Sequence, residues 1–201
     1  MSESPTETAP SLLSDAAELR RALLGTVLVG VAMVVMLALM GRGLWCDCGS
    51  PDPVAWTIQS SHNSQHLFDA YTPTHVLHGM LFYLLLHWLP VTLRPAHGFL
   101  AAMTLEALWE IVENTDTVIE RYRAETISLD YFGDSILNSI SDFVACGGGY
   151  VLASVLPTLV TVAIFVVTEL VLVGTIRDSL VLNIVNLTVP SEWLKSWQAG
   201  K

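Results

Sequence analysis

The chain alternates between long apolar runs and polar segments. An uninterrupted apolar run covers residues 22–40, directly after Arg20 and Arg21. Its 19 residues are enough to cross about 30 Å of hydrocarbon as an α-helix. No small-x-small cleavage motif follows this run, so we expect an anchor that stays in the protein.

Four further apolar segments follow, at about residues 74–93, 96–114, 134–156 and 158–176. The connection between the first two of them is short, which predicts an antiparallel helix pair. Pro157 separates the last two, because the residue before a proline is disfavoured in a helix. The pattern therefore predicts an all-α fold, a polytopic membrane helix bundle with about five transmembrane helices.

The polar segments divide the rest of the chain. Residues 1–18 contain Ser, Thr, Pro and acids, which predicts a disordered tail. A long polar loop after the first span, residues 41–72, is too long for a simple turn and is expected to fold over one end of the bundle. Residues 19–178 then form the transmembrane helical domain. Residues 179–201 carry two tryptophans beside a lysine, which predicts an interfacial C-terminal segment.

Composition agrees with a membrane location and limits the partners. Hydrophobic residues make up 52% of the chain and charged residues 14%, which is too apolar for an ordinary soluble domain. The net charge of -10 offers no basic face for phosphates, so a nucleic-acid partner is not expected. The expected partner is the lipid bilayer, with the chain as a multi-pass membrane protein. Protein partners stay undefined.

The three cysteines are Cys46, Cys48 and Cys146. They predict neither a disulfide framework nor a zinc pattern, because Cys-x-Cys alone supplies too few ligands at too tight a spacing. An ordered loop around Cys46 and Cys48 is the favoured interpretation, with oxidation or joint binding of a ligand as alternatives. Cys146 lies in an apolar run and is expected to serve packing.

Ionisable residues lie inside three of the predicted spans, where each costs about 2.5 to 3.5 kcal/mol on insertion scales. They are His75 and His78 on the second span, Glu106, Glu110 and Glu113 on the third, and Asp134 and Asp142 on the fourth, where the polar Asn138 lies between the two acids. Spacings of three or four residues place each set on one helix face. The second and fourth helices begin on the side where the third ends, so the sequence predicts a polar pocket in one leaflet. In it, His75 is expected level with Glu113 and Asp134, and Glu106 is expected deepest, beside Asp142.

Imidazole and carboxylate groups suggest two kinds of chemistry for this pocket. They are ligands for zinc, manganese or iron, so a divalent metal such as zinc or manganese is a candidate cofactor. The candidate metal ligands are His75, His78, Glu106, Glu110, Asp134 and Asp142. Adjacent carboxylates could equally share a proton and act as general acid and base, with Glu110, Glu113 and His78 as candidate catalytic residues.

Two loops on the same side of the membrane supply candidate binding residues. They are Asn63, Gln65, His66, Asp69 and Tyr71 before the second span, and Arg121, Arg123 and Asp130 before the fourth, with Asn138 inside the fourth span. Arg121 or Arg123 could contact a phosphate, because guanidinium groups bind phosphate oxygens strongly. The alternative is that these arginines pair with the buried carboxylates in a structural network.

The motifs resemble a family of bacterial inner-membrane proteins. They are His75-x-x-His78-Gly79, Glu106-x-x-Trp109-Glu110-x-x-Glu113-Asn114 and Asp134-Ser135-x-x-Asn138-Ser139-x-x-Asp142. Over about residues 41–198 the chain resembles an uncharacterised UPF family typical of alphaproteobacteria. It departs from that pattern at His62, where the resemblance implies an acid. More distantly it is similar to VanZ-like membrane proteins. The resemblance implies a membrane location and supplies no activity.

Two functions follow from these patterns. In the first, the pocket binds a lipid or a lipid-linked polar headgroup, with or without chemical modification of it and with or without a metal. In the second, the chain is a non-enzymatic membrane subunit or assembly factor whose buried polar network only holds the helices together. Whether the chain is an enzyme stays open at this point.

Overall fold

The computed structural model describes residues 16–90, 93–126 and 130–200. Within these ranges the chain folds into helices α1 (Ala16–Leu39), α2 (Thr72–Trp88), α3 (Pro95–Glu113), α4 (Asp116–Glu125), α5 (Ile136–Val155), α6 (Thr158–Ile176), α7 (Leu180–Thr188) and α8 (Glu192–Gln198). Strands β1 (Val54–Ala55) and β2 (Phe68–Asp69) form a short parallel pair. Of the expected disordered tail, residues 1–15 lie outside the described residues, and positions 16–18 belong to α1.

Helices α1, α5 and α6 are long and apolar enough to cross a membrane. Only 17% of the most apolar window of α1 and 11% of that of α6 is buried inside the protein, whereas 56% of the α5 window is buried. Helices α1 and α6 therefore present apolar side chains outward, and α5 lies at the centre. By length and composition the described residues hold three such helices, because α2 has only 17 residues and α3 carries its glutamates.

Two glycines let α2 and α5 pack backbone against backbone. A Cβ atom at Gly79 would overlap the carbonyl oxygen of Cys146, and a Cβ atom at Gly149 would overlap that of Val76. Small residues permit this close approach of helices. The contact fixes the distance between α2 and α5 and therefore the position of everything that α2 carries.

A hydrophobic cluster joins α1, α3 and α5 on the other side of α5. It contains Met33 and Leu37 from α1, Phe99 and Met103 from α3, and Phe143 and Tyr150 from α5. Tyr150 meets the ring of Phe99 edge to face, with 5.5 Å between ring centroids. Helix α3 is therefore held against α5, and its polar face can point toward α2.

Two acids, the partly buried Glu169 and the buried Asp178, fix the C-terminal helices against the bundle. Both carboxylate oxygens of Glu169, in α6, accept hydrogen bonds from backbone N–H groups at the start of α7, at 3.0 and 3.1 Å. The Asp178 carboxylate accepts hydrogen bonds from the Tyr71 hydroxyl at 2.9 Å and from the Gln198 amide at 3.0 Å. Helices α7 and α8 are thus bonded both to α6 and to the loop before α2.

Replacing Gly79 by alanine should destabilise the protein, because the added methyl group would force α2 away from α5. Overpacking of this kind costs about 1 to 3 kcal/mol or more. Gly148→Ala is the matched control, since nothing lies within 4 Å of the position of its added Cβ atom. Thermal unfolding of the two variants in detergent should show a lower midpoint for Gly79→Ala only. Equal midpoints would contradict the close packing of α2 on α5.

The stability of the α6–α7 junction should depend on pH through Asp178. Burial raises the pKa of the Asp178 carboxyl from 3.8 to about 6, although hydrogen bonds from Tyr71, Ser179 and Gln198 oppose the shift. The folded chain then holds this proton more tightly than the unfolded chain. Its contribution to the free energy of unfolding should therefore fall by on the order of 2 to 3 kcal/mol as the pH rises from about 4 to above about 6. Denaturation of wild type beside Asp178→Asn across this window should show a pH-dependent difference, and a constant difference would contradict the shift.

Candidate functional site

His75 is the centre of the buried polar cluster. Its Nδ1 atom lies 2.7 Å from Oε1 of Glu106 and 3.4 Å from Oε1 of Glu110, both on α3. Its Nε2 atom lies 3.9 Å from Oδ2 of Asp142, on α5. One imidazole from α2 is therefore surrounded by carboxylates from two other helices, all of them buried.

Glu106 is shared between the two histidines of α2. His78 Nδ1 lies 3.0 Å from Oε2 of Glu106, while His75 donates to the other carboxylate oxygen. The His78 ring also stacks on Phe82 and meets Trp109 edge to face. Glu106 is completely buried, so these two imidazoles are what compensates its charge.

Glu110 differs from Glu106 in what its carboxylate contacts. Glu110 is also completely buried, but among the described residues neither of its oxygens has a hydrogen-bond partner. Burying a carboxylate without hydrogen bonds is costly, and exceptions of this kind in folded proteins are often functional. Glu110 is therefore poised to take a proton or a cation.

Two sets of side chains at this place have the geometry to hold a metal ion. One set is His75, His78 and Glu106, and the other is His75, Glu110 and Glu113. In each set the ligand atoms lie within 4.8 Å of one another. Nitrogen and carboxylate oxygen ligands suit zinc, manganese or iron. Because the sets share His75, they form one centre.

Next to the centre, Asp134 is held by side chains that the sequence-based site did not include. The Asn114 amide donates to Oδ2 of Asp134 at 2.6 Å, and the Tyr131 hydroxyl donates to Oδ1 at 3.0 Å. In return, Asn114 accepts the backbone N–H of Asp134 at 2.7 Å. Both carboxylate oxygens of Asp134 are thus engaged, which suits an orienting group better than a free ligand. Asn114 continues the four-residue spacing of Glu106 and Glu110. This spacing is the signal by which the sequence could have identified Asn114 as part of the site.

Tyr122 of α4 contacts the remaining glutamate of the cluster. Its side chain is hydrogen-bonded to Glu113, at the end of α3. Burial, together with the negative charge of Glu113, raises the pKa of the Tyr122 hydroxyl well above its ordinary value. The Tyr122 hydroxyl therefore stays neutral and donates a hydrogen bond to Glu113.

A cavity of about 380 Å³ opens beside this cluster. One end is polar, with His75, His78, Glu113, Asp134 and Asp142. Its walls are apolar and come from three helices. They are Leu81 and Phe82 of α2, Leu105, Leu108, Trp109 and Val112 of α3, and Leu180, Ile184 and Leu187 of α7. The segment expected to lie in the membrane interface thus supplies one wall of the cavity.

Three of the predicted binding residues line the cavity, namely Asn63, Asp69 and Tyr71. Asp69 is also the structural centre of its loop. Its carboxylate accepts the backbone N–H and the hydroxyl of Ser64, and the backbone N–H groups of Tyr71 and Thr72 at the start of α2. This residue shapes the cavity rim through the loop that it organises.

Other predicted binding residues lie around the rim. The Gln65 amide donates to the carbonyl of Gly133 at 2.6 Å, and the Asn138 amide donates to the carbonyl of His66 at 2.9 Å. These bonds attach the loop before α2 to the loop before α5. The ring of His66 points to Cys48, outside the cavity.

The arginines take other partners. Arg121 donates to the backbone carbonyl of Leu187 at 2.8 Å, and Arg123 lies over the ring of Phe132, 5.1 Å from its centroid. Asp130 is exposed. The cavity lining found among the described residues contains no arginine or lysine. The structure thus does not bring Arg121 or Arg123 to the acids with which they were expected to act.

The relative depth of His75 also differs from the sequence-based expectation. It was expected level with Glu113 and Asp134, yet its Nδ1 atom lies 2.7 Å from a carboxylate oxygen of Glu106. That glutamate was expected at the deepest level. The close packing of α2 against α5 sets the axial position of α2, and helix periodicity does not report this shift.

Sequence comparison gives the context of these residues. A family model described as "Protein of unknown function (DUF2585)" matches residues 37–200. The chain belongs to this family. A UPF0314 protein of Sinorhizobium fredii is 50% identical over 179 residues, which covers 86% of this chain and 88% of the relative. One from Paracoccus denitrificans is 49% identical over 177 residues, which covers 87% and 91%.

These relatives confirm the predicted resemblance to an alphaproteobacterial UPF family. A more distant UPF0314 protein, from Sphingopyxis alaskensis, is 40% identical over 177 residues and covers 86% of this chain and 94% of the relative. No solved structure matches the chain. The similarity to VanZ-like proteins stays a prediction.

The two central glutamates should respond differently to neutralisation. Glu106→Gln removes the charge that binds both histidines and should lower the unfolding free energy by about 1.5 to 3 kcal/mol. Glu110→Gln removes a buried charge without hydrogen-bond donors and should leave stability equal or higher. Thermal unfolding of the metal-free variants in detergent measures both. An equal loss in the two variants would show that Glu110 is as firmly paired as Glu106.

Proposed function

We propose that the chain is a multi-pass protein of the inner membrane that binds the polar headgroup of a lipid or lipid-linked molecule, with a divalent metal ion held by the His/Glu cluster. The observation that carries this proposal is the cavity with a His/Asp/Glu end and apolar walls. In this proposal α2 and α3 cross the membrane together with α1, α5 and α6. Their polar faces meet each other inside the bundle, which is where ionisable groups of membrane helices are tolerated.

The shape of the cavity supports an amphiphilic ligand. Leu105, Leu108 and Val112 line it and are also exposed on the outer face of α3. The cavity therefore opens sideways among apolar side chains that would contact lipid. An acyl or isoprenoid chain fits such walls through the hydrophobic effect, and its headgroup would reach the polar end.

The charge of the polar end supports a metal as the contact for an anionic headgroup. Glu113, Asp134 and Asp142 line the cavity, with no arginine or lysine among the described lining residues. A phosphate would be repelled by these carboxylates. A divalent cation on His75, His78 and Glu106, or on His75, Glu110 and Glu113, reverses the local charge and can bind phosphate oxygens.

The same residues can move protons during a reaction on the headgroup. Glu110 has no hydrogen-bond donor among the described residues and is the candidate general base. Glu113 is oriented by Tyr122, and Asp134 is oriented by Asn114 and Tyr131. His78 completes the set as metal ligand or proton carrier. A metal bound here would supply polarisation of the phosphate or activation of a water molecule.

Metal binding by this centre is testable in a variant that lacks Cys46 and Cys48, so that no thiolate contributes. We expect the purified Cys46→Ser/Cys48→Ser protein to bind manganese or zinc. Further replacement by His78→Gln and Glu110→Gln should weaken that binding by at least about tenfold, roughly 1.4 kcal/mol. His87→Gln is the matched control, because His87 lies on the same helix, is exposed and stacks on Tyr83 outside the cluster. Calorimetric titration with each metal gives the affinities.

Lipid binding is measured on the same proteins by native mass spectrometry in the presence of anionic and zwitterionic phospholipids. The proposal expects metal-dependent retention of an anionic phospholipid, lost with His78→Gln/Glu110→Gln and kept with His87→Gln. The polar cluster is a structural network if His78→Gln/Glu110→Gln changes neither the metal affinity nor the lipid binding, while Glu106→Gln lowers the stability. That outcome would favour a non-enzymatic membrane subunit or assembly factor.

A further inference from the structure

The polar connection between α1 and α2 brings together a second cluster, separate from the cavity. Its members are Cys46, Cys48, His62 and His66, and one ligand atom from each lies within 4.8 Å of all the others. Cys46 and His66 are buried, whereas Cys48 and His62 are exposed. Two thiols and two imidazoles thus converge from positions 16 and 18 residues apart.

The distances between these atoms fit tetrahedral coordination. Cys46 Sγ lies 3.3 Å from Nδ1 of His62, and Cys48 Sγ lies 3.7 Å from Nε2 of His66. In a tetrahedral zinc site, bonds of about 2.3 Å to sulfur and about 2.05 Å to nitrogen place these ligand atoms about 3.6 Å apart. Both contacts lie close to that value.

His66 is oriented in the way a metal ligand requires. Its Nδ1 atom is hydrogen-bonded to the backbone carbonyl of Asp52. A carbonyl can only accept, so Nδ1 carries the hydrogen and Nε2 presents its lone pair toward Cys48. Metal-ligating histidines almost always donate their other ring N–H in this manner.

Both sulfurs accept hydrogen bonds from the backbone. The backbone N–H of Cys48 donates to Cys46 Sγ at 3.4 Å, and the backbone N–H of Ser50 donates to Cys48 Sγ at 3.4 Å. Hydrogen bonds of this kind orient the ligand atoms of a metal site. These bonds repeat two residues apart, so the loop is wound around both sulfurs.

We propose that Cys46, Cys48, His62 and His66 bind one zinc ion in a structural site. Two thiolates and two imidazoles are a common ligand set for structural zinc, and four protein ligands leave no open position for catalysis. The proposal is independent of the metal centre proposed for the cavity, which contains no sulfur ligand.

The zinc would stabilise one rim of the cavity. The carbonyl of His66 accepts the Asn138 amide of α5, and the carbonyl of Ser64 accepts the backbone N–H of Ser135 at 2.9 Å. Asn63 and Ser64, between the two histidines, line the cavity. Closing the connection from Cys46 to His66 with a metal therefore holds these residues against α5. Metal ligation of this kind contributes directly to local folding.

The site is tested on full-length protein purified in detergent under reducing conditions. We expect about one zinc ion per chain bound at this site, and cobalt substitution should give the thiolate-to-cobalt absorption of a tetrahedral site. The thiolate absorption and the zinc of this site should be lost in Cys46→Ser/Cys48→Ser, which keeps only the metal that the cavity centre binds. His62→Gln should weaken zinc retention against a chelator and alter the cobalt spectrum. Because His62 is exposed, its replacement should leave the fold intact.

Controls separate this site from the rest of the molecule. His97→Gln, at an exposed histidine of α3, and Cys146→Ala, at the cysteine of α5, should keep the zinc and the cobalt absorption. His78→Gln/Glu110→Gln should also keep the thiolate absorption, even where cavity binding is lost. Absence of the absorption from folded, reduced wild type would overturn the proposal. So would a Cys46–Cys48 disulfide that persists in protein purified with reductant and zinc.

Discussion

The backbone contact between α2 and α5 at Gly79 and Gly149 is the constraint on which the polar centre depends. A side chain at either position would overlap a carbonyl oxygen of the opposite helix. The close approach places the imidazole of His75 within reach of Asp142 on α5 and of Glu106 on α3. Without it, carboxylates from two helices would be buried apart from their positive partners, which is costly in any low-dielectric environment.

The molecule compensates its buried charges from several elements at once. Glu106 has two imidazoles, Asp134 has Asn114 and Tyr131, and Asp178 has Tyr71 and Gln198. Glu110 stands apart because its oxygens have no hydrogen-bond partner among the described residues. The two glutamates therefore differ in their hydrogen bonding although they lie on one helix face. The loops and α7 then enclose the cavity beside His75 and His78, whose walls are apolar.

The sequence by itself determined the elements whose physics is local. The runs that became α1 and α6 are apolar on all sides, and such helices need little more than length and composition to be recognised. Helical periodicity also placed His75 with His78, and Glu106 with Glu110, on shared faces. Their convergence followed from alternating helix directions, and the structure brings these side chains into one cluster.

Only the tertiary structure decided the depth of these residues in the bundle and the side chains that they contact. Periodicity gives the face of a helix and says nothing about its axial shift, so the contact of His75 with Glu106 was not foreseen. Cys46 was judged from its neighbour Cys48, while its further partners, His62 and His66, come from a polar connection that follows no repeat. Likewise, only the structure shows that α7 lines the cavity and that Arg121 donates to the backbone carbonyl of Leu187. Long-range contacts of irregular segments depend on how the whole bundle packs. A short stretch of sequence carries no information about that packing.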